Sequence, residues 1–276
     1  MDYIELACIV KETDLNDLVM AALSEIGFEG FMEKNDHMLA YIPAKEFSTE
    51  KIYGLKNKTP DFSFTYKTIK EQNWNALWES NFQPVMIADR CFIRAPFHEH
   101  DDKVEFEIII EPKMSFGTAH HETTAMMIEK MLETDLKNKT VLDMGCGTAI
   151  LAILAEKKGA KEILAVDNDE WAYRNSLENI ERNSCTKINA VWGDSSAIKG
   201  ENFDFILANI NRNILLQDMS FYAACMHQGS EILFSGFYEK DLELIKEKAN
   251  SNGLVFAEAS SKNNWVAAKF IKKLDQ

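Results

Sequence analysis

The sequence lacks an apolar run long enough to cross a membrane. Its longest uninterrupted run, at 149–155, is far shorter than the roughly 20 residues that a bilayer-spanning helix needs. The N-terminus also lacks the basic region and the apolar core of a signal peptide. These two absences predict a protein of the cytoplasm that binds no membrane.

Cysteine is scarce, and none of the 5 cysteines forms a Cys-x-x-Cys pair. A scattered, odd-numbered set argues against both a disulfide framework and a zinc site, and it favours a reducing compartment. The side chains best suited to a metal, at 98–102, lie together in a polar segment that is predicted to be a hairpin loop. Because adjacent ligands in one loop rarely close around an ion, we expect no metal.

Basic side chains are too few to favour nucleic acid, since 30 lysines and arginines stand against 44 aspartates and glutamates, a formal charge of −14. Such a chain repels a phosphate backbone, so we expect no direct binding of nucleic acid and instead a basic partner. The first 66 residues hold 12 acidic and 6 basic side chains, a net −6. That balance is typical of an acidic docking surface and equally of an ordinary solvated surface.

The 276 residues suit two unequal domains, and a hydrophobic content of 46% excludes a disordered chain. The first domain, 1–68, is predicted to follow the order β-α-β-β-α-β, which is typical of a ferredoxin-like fold. Apolar periodicity places its six elements at 3–10, 15–26, 28–33, 37–42, 49–55 and 62–69. A helical stripe with Trp74 and Trp78, ended by Pro84, predicts a linker helix at 69–84.

The remaining residues, 85–276, begin with two predicted strands at 91–95 and 104–110. Seven further strands are predicted at 140–144, 162–167, 188–192, 203–209, 230–235, 255–259 and 265–271. Helical stretches alternate with the first five of these seven. This alternation predicts a mostly parallel α/β sheet with helices on both faces.

The strand at 140–144 runs into a turn with two glycines and then into a helix, a shape that lets a ligand approach the backbone. A dinucleotide site would need a third small residue where Ile150 stands, so it does not fit. Asp143, Gly145 and Gly147 instead match the D/E-x-G-x-G pattern of a site for a sulfonium nucleoside. The sequence therefore predicts a nucleoside site at this glycine loop.

Polar side chains stand at the ends of the next three strands, where open α/β sheets bind their ligands. Asp167 is predicted to accept hydrogen bonds from both ribose hydroxyls, since Asp169 is the more natural helix cap. Asp194 either accepts from an adenine amino group or caps the following turn. Asn209 either orients an amine beside the nucleoside or caps the next helix, a role that Asn211 also fits.

Upstream, 116–124 is dense in hydroxyls and histidines, and these residue types alone predict only a helix start with polar caps. Their order, Phe-Gly-Thr-Ala-His-His-Glu-Thr-Thr, resembles the F-G-T-G-x-H-x-T-T signature of the bacterial ribosomal protein L11 methyltransferases (PrmA type). The linker, the glycine loop, Val166-Asp167 and 207–210 match that family in the same order. The chain departs from the family at Ala119, usually glycine, and at Thr148-Ala149, often Ser-Gly.

The resemblance implies a class I methyltransferase domain with a seven-stranded, mostly parallel, Rossmann-like sheet, preceded by a ferredoxin-like domain that captures the substrate. It implies S-adenosylmethionine as the methyl donor, which leaves as S-adenosylhomocysteine. The acceptors would be lysine side-chain amines and the N-terminal amine of the basic ribosomal protein L11. We expect a monomeric enzyme that modifies this protein while it is free.

The resemblance and the neighbouring motif positions together predict eight cofactor contacts. They are Phe116, Thr118, Thr124, Gly145, Gly147, Asp167, Asp194 and Asn209. Asn209 would also orient the acceptor amine. His121 is the candidate base, beside the simpler interpretation of a structural histidine.

Two rival functions stay open. A methyltransferase for a glutamine amide would usually carry N-P-P-Y at 209–212, where this chain has Asn-Ile-Asn-Arg. A nucleoside-binding assembly factor without catalysis would keep the same pocket, and the intact glycine loop with Asn209 weighs against it without excluding it.

Overall fold

The computed structural model describes six stretches of the chain, 2–10, 16–34, 37–55, 62–69, 83–111 and 117–273. The chain divides into two compact units, Met1–Asn81 and Phe82–Gln276. Most of the predicted linker helix at 69–84, including Trp74 and Trp78, lies outside the described residues. Within the described stretches, no helix is long and apolar enough to span a bilayer.

The first unit is a four-stranded antiparallel sheet packed against two helices. Its elements are β1 Tyr3–Val10, α1 Asn16–Glu25, β2 Gly30–Lys34, β3 His37–Pro43, α2 Thr49–Leu55 and β4 Phe62–Ile69. Leu6 and Cys8 of β1 lie in one buried cluster with Leu23 and Ile52 of the helices, because alternate strand side chains share a face. The strand order β2-β3-β1-β4 and the element order are those of a ferredoxin-like fold.

A small three-stranded sheet opens the second unit, with β5 Val85–Ile87, β6 Cys91–Arg94 and β7 Phe106–Ile109. Strand β5 has no counterpart among the predicted elements. The prediction of a hairpin between β6 and β7 is wrong, because these two strands pair in parallel. The chain must therefore travel back along the sheet between them, through the loop that contains 98–102.

The buried Arg94 side chain folds this loop back. Its guanidinium donates to the carbonyls of Ala95 and His98, both at 3.2 Å, and to the Glu107 carboxylate at 2.7 Å. His100 lies 2.8 Å from the same carboxylate through Nδ1. The loop's metal-binding side-chain types are thus used in part to hold the loop together. In the described part of the chain, no group of three or more His, Cys, Asp or Glu side chains is arranged to hold a metal ion.

The second unit is centred on a seven-stranded sheet in the order β10-β9-β8-β11-β12-β14-β13. Its strands are β8 Thr140–Met144, β9 Glu162–Asp167, β10 Ile188–Trp192, β11 Phe203–Asn209, β12 Met226–Tyr238, β13 Leu254–Lys262 and β14 Trp265–Lys272. Its helices are α3 Glu122–Glu133, α4 Ile150–Lys157, α5 Glu170–Arg182, α6 Arg212–Ala224 and α7 Leu242–Ser251. Strands β8 to β12 are parallel and β14 is antiparallel to both neighbours, so the predicted mostly parallel sheet is confirmed.

Both faces of this sheet are buried, which explains the apolar runs in its central strands. Along β11, Phe205 and Leu207 face the cluster that includes residues of α3, α4 and α5, whereas Ile206 and Ala208 face the cluster of α6 and α7. The predicted bounds of β8 to β11 are confirmed. The prediction at 230–235 covers only the middle of β12, whose first part is largely exposed and has no apolar run to reveal it.

Candidate active site

A cavity of about 880 Å³ opens at the carboxyl ends of the parallel strands, where open α/β sheets bind their ligands. Most of the predicted site residues line it, namely His121, Thr124, Gly145, Gly147, Asp167, Asp194 and Asn209. Because parallel strands end at one edge of the sheet, side chains that are far apart in sequence meet there.

Gly145 starts the glycine loop with a left-handed backbone at φ +71°, and a Cβ at this position would collide with the Ile210 side chain. Glycine is therefore required by both conformation and space. The amides of Gly145 and Cys146 donate to the Val166 carbonyl at 2.8 and 3.1 Å, which fastens the loop to β9. Ala149, one of the departures from the family signature, is also left-handed at φ 61°, a conformation that costs a non-glycine residue about 1 kcal/mol.

Asp167 ends β9 and connects it to the glycine loop. One carboxylate oxygen accepts from the Gly147 amide at 2.9 Å and the other from the Asp169 amide at 3.0 Å. Each oxygen can accept a further hydrogen bond, so the predicted contact with two ribose hydroxyls is compatible with these bonds. Asp169 caps α5 by accepting from the Trp171 and Ala172 amides, as expected.

Asp143, the acidic residue of the glycine-loop pattern, is buried and does not line the cavity. Its Oδ2 accepts from the Ala152 amide at 3.0 Å. Burial raises the pKa of Asp143 from 3.8 to about 7, and the neighbouring charge of Asp167 acts in the same direction. Near neutral pH this carboxyl therefore exchanges between its protonated and ionised forms.

We expect the Asp143→Asn variant to lose less stability than the wild type as pH rises. The pKa in the fold lies above its unfolded value, so the bound proton stabilises the fold below about pH 4, and this contribution disappears as pH passes about 7. Asparagine keeps an oxygen for the Ala152 amide and does not ionise. Thermal melts of ligand-free protein at about pH 5 and about pH 8 measure the difference. Equal losses in both proteins would contradict the raised pKa.

Asp194 begins the short 3-10 helix Ser195–Ile198 and caps it, accepting from the Ser196 amide at 2.9 Å. Hydrogen bonds from the Ser196 side chain and amide hold the pKa of Asp194 below its usual range. Of the two predicted roles, capping is the one observed. Since the side chain also lines the cavity, contact with an adenine amino group stays a prediction.

Asn209 ends β11 at the cavity, and its amide nitrogen donates to the Thr124 hydroxyl at 3.3 Å. The following helix, α6, is capped by Asn211, whose side chain accepts from the Ile214 amide at 3.2 Å. Asn209 is thus not used as a cap. Within the described residues, no hydrogen bond occupies its side-chain carbonyl oxygen, which can accept from an amine N–H.

His121 caps α3, because its Nδ1 accepts from the Thr123 amide at 3.3 Å and lies 2.8 Å from the Thr123 hydroxyl. Its ring packs edge-on against Trp265, with 4.8 Å between centroids. Nδ1 and the ring of His121 are therefore both engaged in contacts that stabilise the fold. This geometry favours the structural histidine over the general base.

The first described residue of the signature segment, Gly117, reaches the cavity without a side chain. Gly117 lines the cavity, and its carbonyl accepts from the Thr148 hydroxyl at 2.6 Å. Thr118 is not part of the lining, and its hydroxyl lies 3.3 Å from Nδ1 of His120 instead. The structure therefore does not bring Thr118 together with the other predicted residues. Phe116 lies outside the described residues.

Among the cavity residues that the sequence analysis did not single out are Asp218 and Trp265. Asp218 of α6 is nearly buried and lies one helical turn from the buried residues Leu215 and Tyr222. A charged residue on the apolar face of a predicted helix is the sequence signal that could have identified it. Trp265 lines the cavity from the start of β14. No motif surrounds it, and only the pairing of β14 with β12 brings it to this edge.

The comparisons with known proteins agree with this arrangement. A family model described as ribosomal protein L11 methyltransferase (PrmA) matches residues 9–273. This chain belongs to that family. The match spans both units, so the resemblance carried by the 116–124 segment and the glycine loop is confirmed.

Individual members of the PrmA family align over most of the chain. The ribosomal protein L11 methyltransferase of Phocaeicola vulgatus is 50% identical over 268 residues, 94% of each chain. That of Bacteroides fragilis is 47% identical over 266 residues, 93% of this chain and 94% of the relative. The solved ribosomal protein L11 methylase of Lactobacillus delbrueckii subsp. bulgaricus has a TM-score of 0.65 and 25% identity, covering 70% of this chain and 100% of its own. The expected class I methyltransferase fold is thereby confirmed.

Proposed function

We propose that this PrmA-family methyltransferase uses S-adenosylmethionine to methylate lysine side-chain amines and the N-terminal amine of ribosomal protein L11 in the cytoplasm. The observation that carries the proposal is the position of Asn209. Its amide nitrogen is held by Thr124, and its carbonyl oxygen is available beside the glycine-loop cavity. The relatives at 47–50% identity that bear the L11 methyltransferase name support the choice of substrate.

The cavity suits S-adenosylmethionine in size and in polar groups. Its volume of about 880 Å³ lies within the range of roughly 300–1,000 Å³ that is usual for small-ligand sites. The missing Cβ at Gly145 makes room for the Ile210 side chain, and both residues line the cavity. Asp167 would accept from the ribose hydroxyls and Asp194 from the adenine amino group, while Gly147 and Thr124 line the same cavity. Contacts of Phe116 and Thr118 with the cofactor stay predictions from the signature, since Phe116 lies outside the described residues and Thr118 does not line the cavity.

Methyl transfer to an amine requires that the amine be neutral and that its lone pair be oriented toward the methyl group. A lysine amine has a pKa near 10.4, so only about one in a thousand molecules is neutral at pH 7. Transfer from water into the cavity disfavours the ammonium form. The donor supplies a methyl group on a cationic sulfur, and its charge acts in the same direction. The Asn209 carbonyl would then accept an amine N–H and aim the lone pair, and proximity supplies much of the acceleration without a dedicated base.

We further propose that 1–68 captures the substrate, 69–84 links the domains and 85–276 performs the chemistry. Ribosomal proteins that bind RNA are typically basic, and the −6 charge of the first 66 residues would attract such a protein. The same charge would repel RNA already assembled around it. Methylation of the free protein before assembly follows from this balance.

One assay tests the proposed function directly. The purified full-length protein is incubated with radiolabelled S-adenosylmethionine and purified ribosomal protein L11, and the modified positions are mapped by mass spectrometry. Label on lysines and on the N-terminal amine is the expected result. Label on glutamine would favour the rival amide methyltransferase, and donor binding without transfer would favour the non-catalytic assembly factor.

We expect the affinity for ribosomal protein L11 to fall several-fold as salt rises, because screening weakens attraction between exposed charges. Titrations at low and high ionic strength measure it. Neutralising exposed acidic residues of the first unit, Glu25, Glu46 and Glu50, with glutamine is expected to weaken binding at low salt. The matched control neutralises the exposed residues Glu129, Glu201 and Glu247 of the second unit. Salt-independent binding, or equal effects of the two triple variants, would contradict capture by the first unit.

A further inference from the structure

A second cavity, of about 480 Å³, adjoins the one that holds the predicted cofactor contacts. Asn211, Gly236 and Trp265 line both cavities. The proposed reaction assigns a role to the larger space only. The smaller space is therefore a candidate for the part of the substrate that approaches the methyl donor.

Three aromatic rings form a continuous wall where the two cavities meet. The ring centroids of Tyr238 and Trp265 lie 4.1 Å apart, with an interplanar angle of 33°. The His121 ring packs edge-on against Trp265, with 4.8 Å between the ring centroids. We call His121, Tyr238 and Trp265 the aromatic wall. Trp265 is its central member and the one that lines both spaces.

The wall is held in place from two sides. Tyr238 and Trp265 face each other as register partners on β12 and β14. In the tight turn before Trp265, Asn263 and Asn264 have left-handed backbone conformations. The side-chain amide of Asn263 donates to the Glu122 carboxylate at 2.8 Å. This bond joins the hairpin tip to the start of α3, next to His121. The rings are consequently pre-positioned, and binding need not order them.

The wall has the chemistry of an ammonium site. A cation within about 6 Å of an aromatic centroid is attracted to the ring face, most strongly by tryptophan, and quaternary ammonium groups are recognised by such rings. Tyr238 already has an ammonium over its ring, since Nζ of Lys240 lies 5.7 Å from the centroid. The guanidinium of Arg212 in the same cavity is paired with Asp241 at 2.7 Å, which offsets its repulsion of another cation.

We propose that the aromatic wall binds the methylated ammonium of the acceptor side chain in preference to the unmethylated ammonium, and thereby retains partly methylated amines for further transfers. The identity of the acceptor as an amine rests on the proposed function. In each transfer an N–C bond forms, the donor's S–C bond breaks and its electron pair stays on sulfur. The product ammonium loses one proton to water before the next transfer, until no proton remains. Methyl groups reduce hydration of the ammonium, so the ring faces compete better with water as methylation advances.

The binding test uses the full chain loaded with S-adenosylhomocysteine and three blocked amino-acid probes. They are lysine, trimethyllysine and the neutral isostere in which carbon replaces the trimethylated nitrogen. Titration by NMR is expected to show that trimethyllysine binds about tenfold more tightly than the isostere, as a desolvated cation–π contact predicts. It should bind more tightly than lysine as well. Trp265→Leu should abolish these preferences and Trp265→Phe should keep part of them.

The matched control is Trp192→Leu, since Trp192 is equally a tryptophan but is exposed and lines neither cavity. We expect it to keep the preferences of the wild type. Equal affinity of the wild type for the cation and its isostere would overturn the inference, as would an unchanged preference in Trp265→Leu. Mass spectrometry of methylated ribosomal protein L11 adds a second readout, in which Trp265→Leu should accumulate monomethylated lysine. A wild type that prefers trimethyllysine but methylates no lysine would refute the proposed function and leave the ammonium site standing.

Discussion

Changing Asn209 to alanine is expected to lower the single-turnover rate of methyl transfer about 100-fold, the loss that follows when a reacting group is misplaced by about 1 Å. Alanine removes the carbonyl oxygen that would orient the amine. The fold should survive, because Asn211 rather than Asn209 caps α6. Rapid-quench kinetics with saturating S-adenosylmethionine separate this effect from weaker donor binding.

Two comparison variants sharpen the Asn209 experiment. Thr124→Val keeps the shape of the side chain but removes the hydroxyl that accepts from Asn209 at 3.3 Å, so a smaller rate loss of about tenfold is expected. Asn211→Ala removes the helix cap and should instead cost about 1 kcal/mol of stability. A single-turnover rate of Asn209→Ala equal to that of the wild type would reject the orienting role.

Changing Asp167 to alanine is expected to weaken the binding of S-adenosylmethionine about 100-fold. Hydrogen bonds to a charged group contribute about 1.5–3 kcal/mol, and this carboxylate would accept from two ribose hydroxyls. Alanine also removes the acceptor for the Gly147 amide at 2.9 Å, which loosens the glycine loop. Both effects act on the donor site and in the same direction. Isothermal titration calorimetry with donor and with product gives the change in affinity.

The neighbouring carboxylate provides a matched control for Asp167. Asp169 lines the same cavity but caps α5 through the Trp171 and Ala172 amides. Asp169→Ala should therefore lower the melting temperature with little change in donor affinity. Asp167→Asn keeps one acceptor oxygen and should fall between the alanine variant and the wild type. Unaltered donor affinity in Asp167→Ala would reject the ribose role.

Much of the second unit could be predicted from the sequence because its central strands are buried on both faces. The apolar runs at 140–144, 162–167, 188–192 and 203–209 match the observed strands at both ends. Each run ends at a glycine or a polar residue. In a parallel sheet the carboxyl ends of the strands lie at the same edge, so these residues come together there. The positions of Gly145, Asp167 and Asn209 around one cavity follow from that geometry. The first unit followed from alternating apolar residues in the same way.

Other features could not be predicted because they depend on pairings between distant segments. The loop at 98–102 looked like a hairpin, since two short strands flank it, but the choice between parallel and antiparallel pairing rests on how Arg94 and Glu107 fold the chain back. Thr118 belongs to the signature, and only the backbone path shows that Gly117 rather than Thr118 faces the cavity.

The sequence by itself determined the order of elements in the first unit and in the seven-stranded sheet, the glycine loop and the strand-end carboxylate and amide, because burial period and turn chemistry are local properties. The tertiary structure alone decided the aromatic wall. Its members come from the start of α3, the end of β12 and the start of β14, and they meet through antiparallel register and a hairpin tip bonded to Glu122. Contacts across such separations carry no periodic signal in the chain, since each residue is placed by the sheet as a whole.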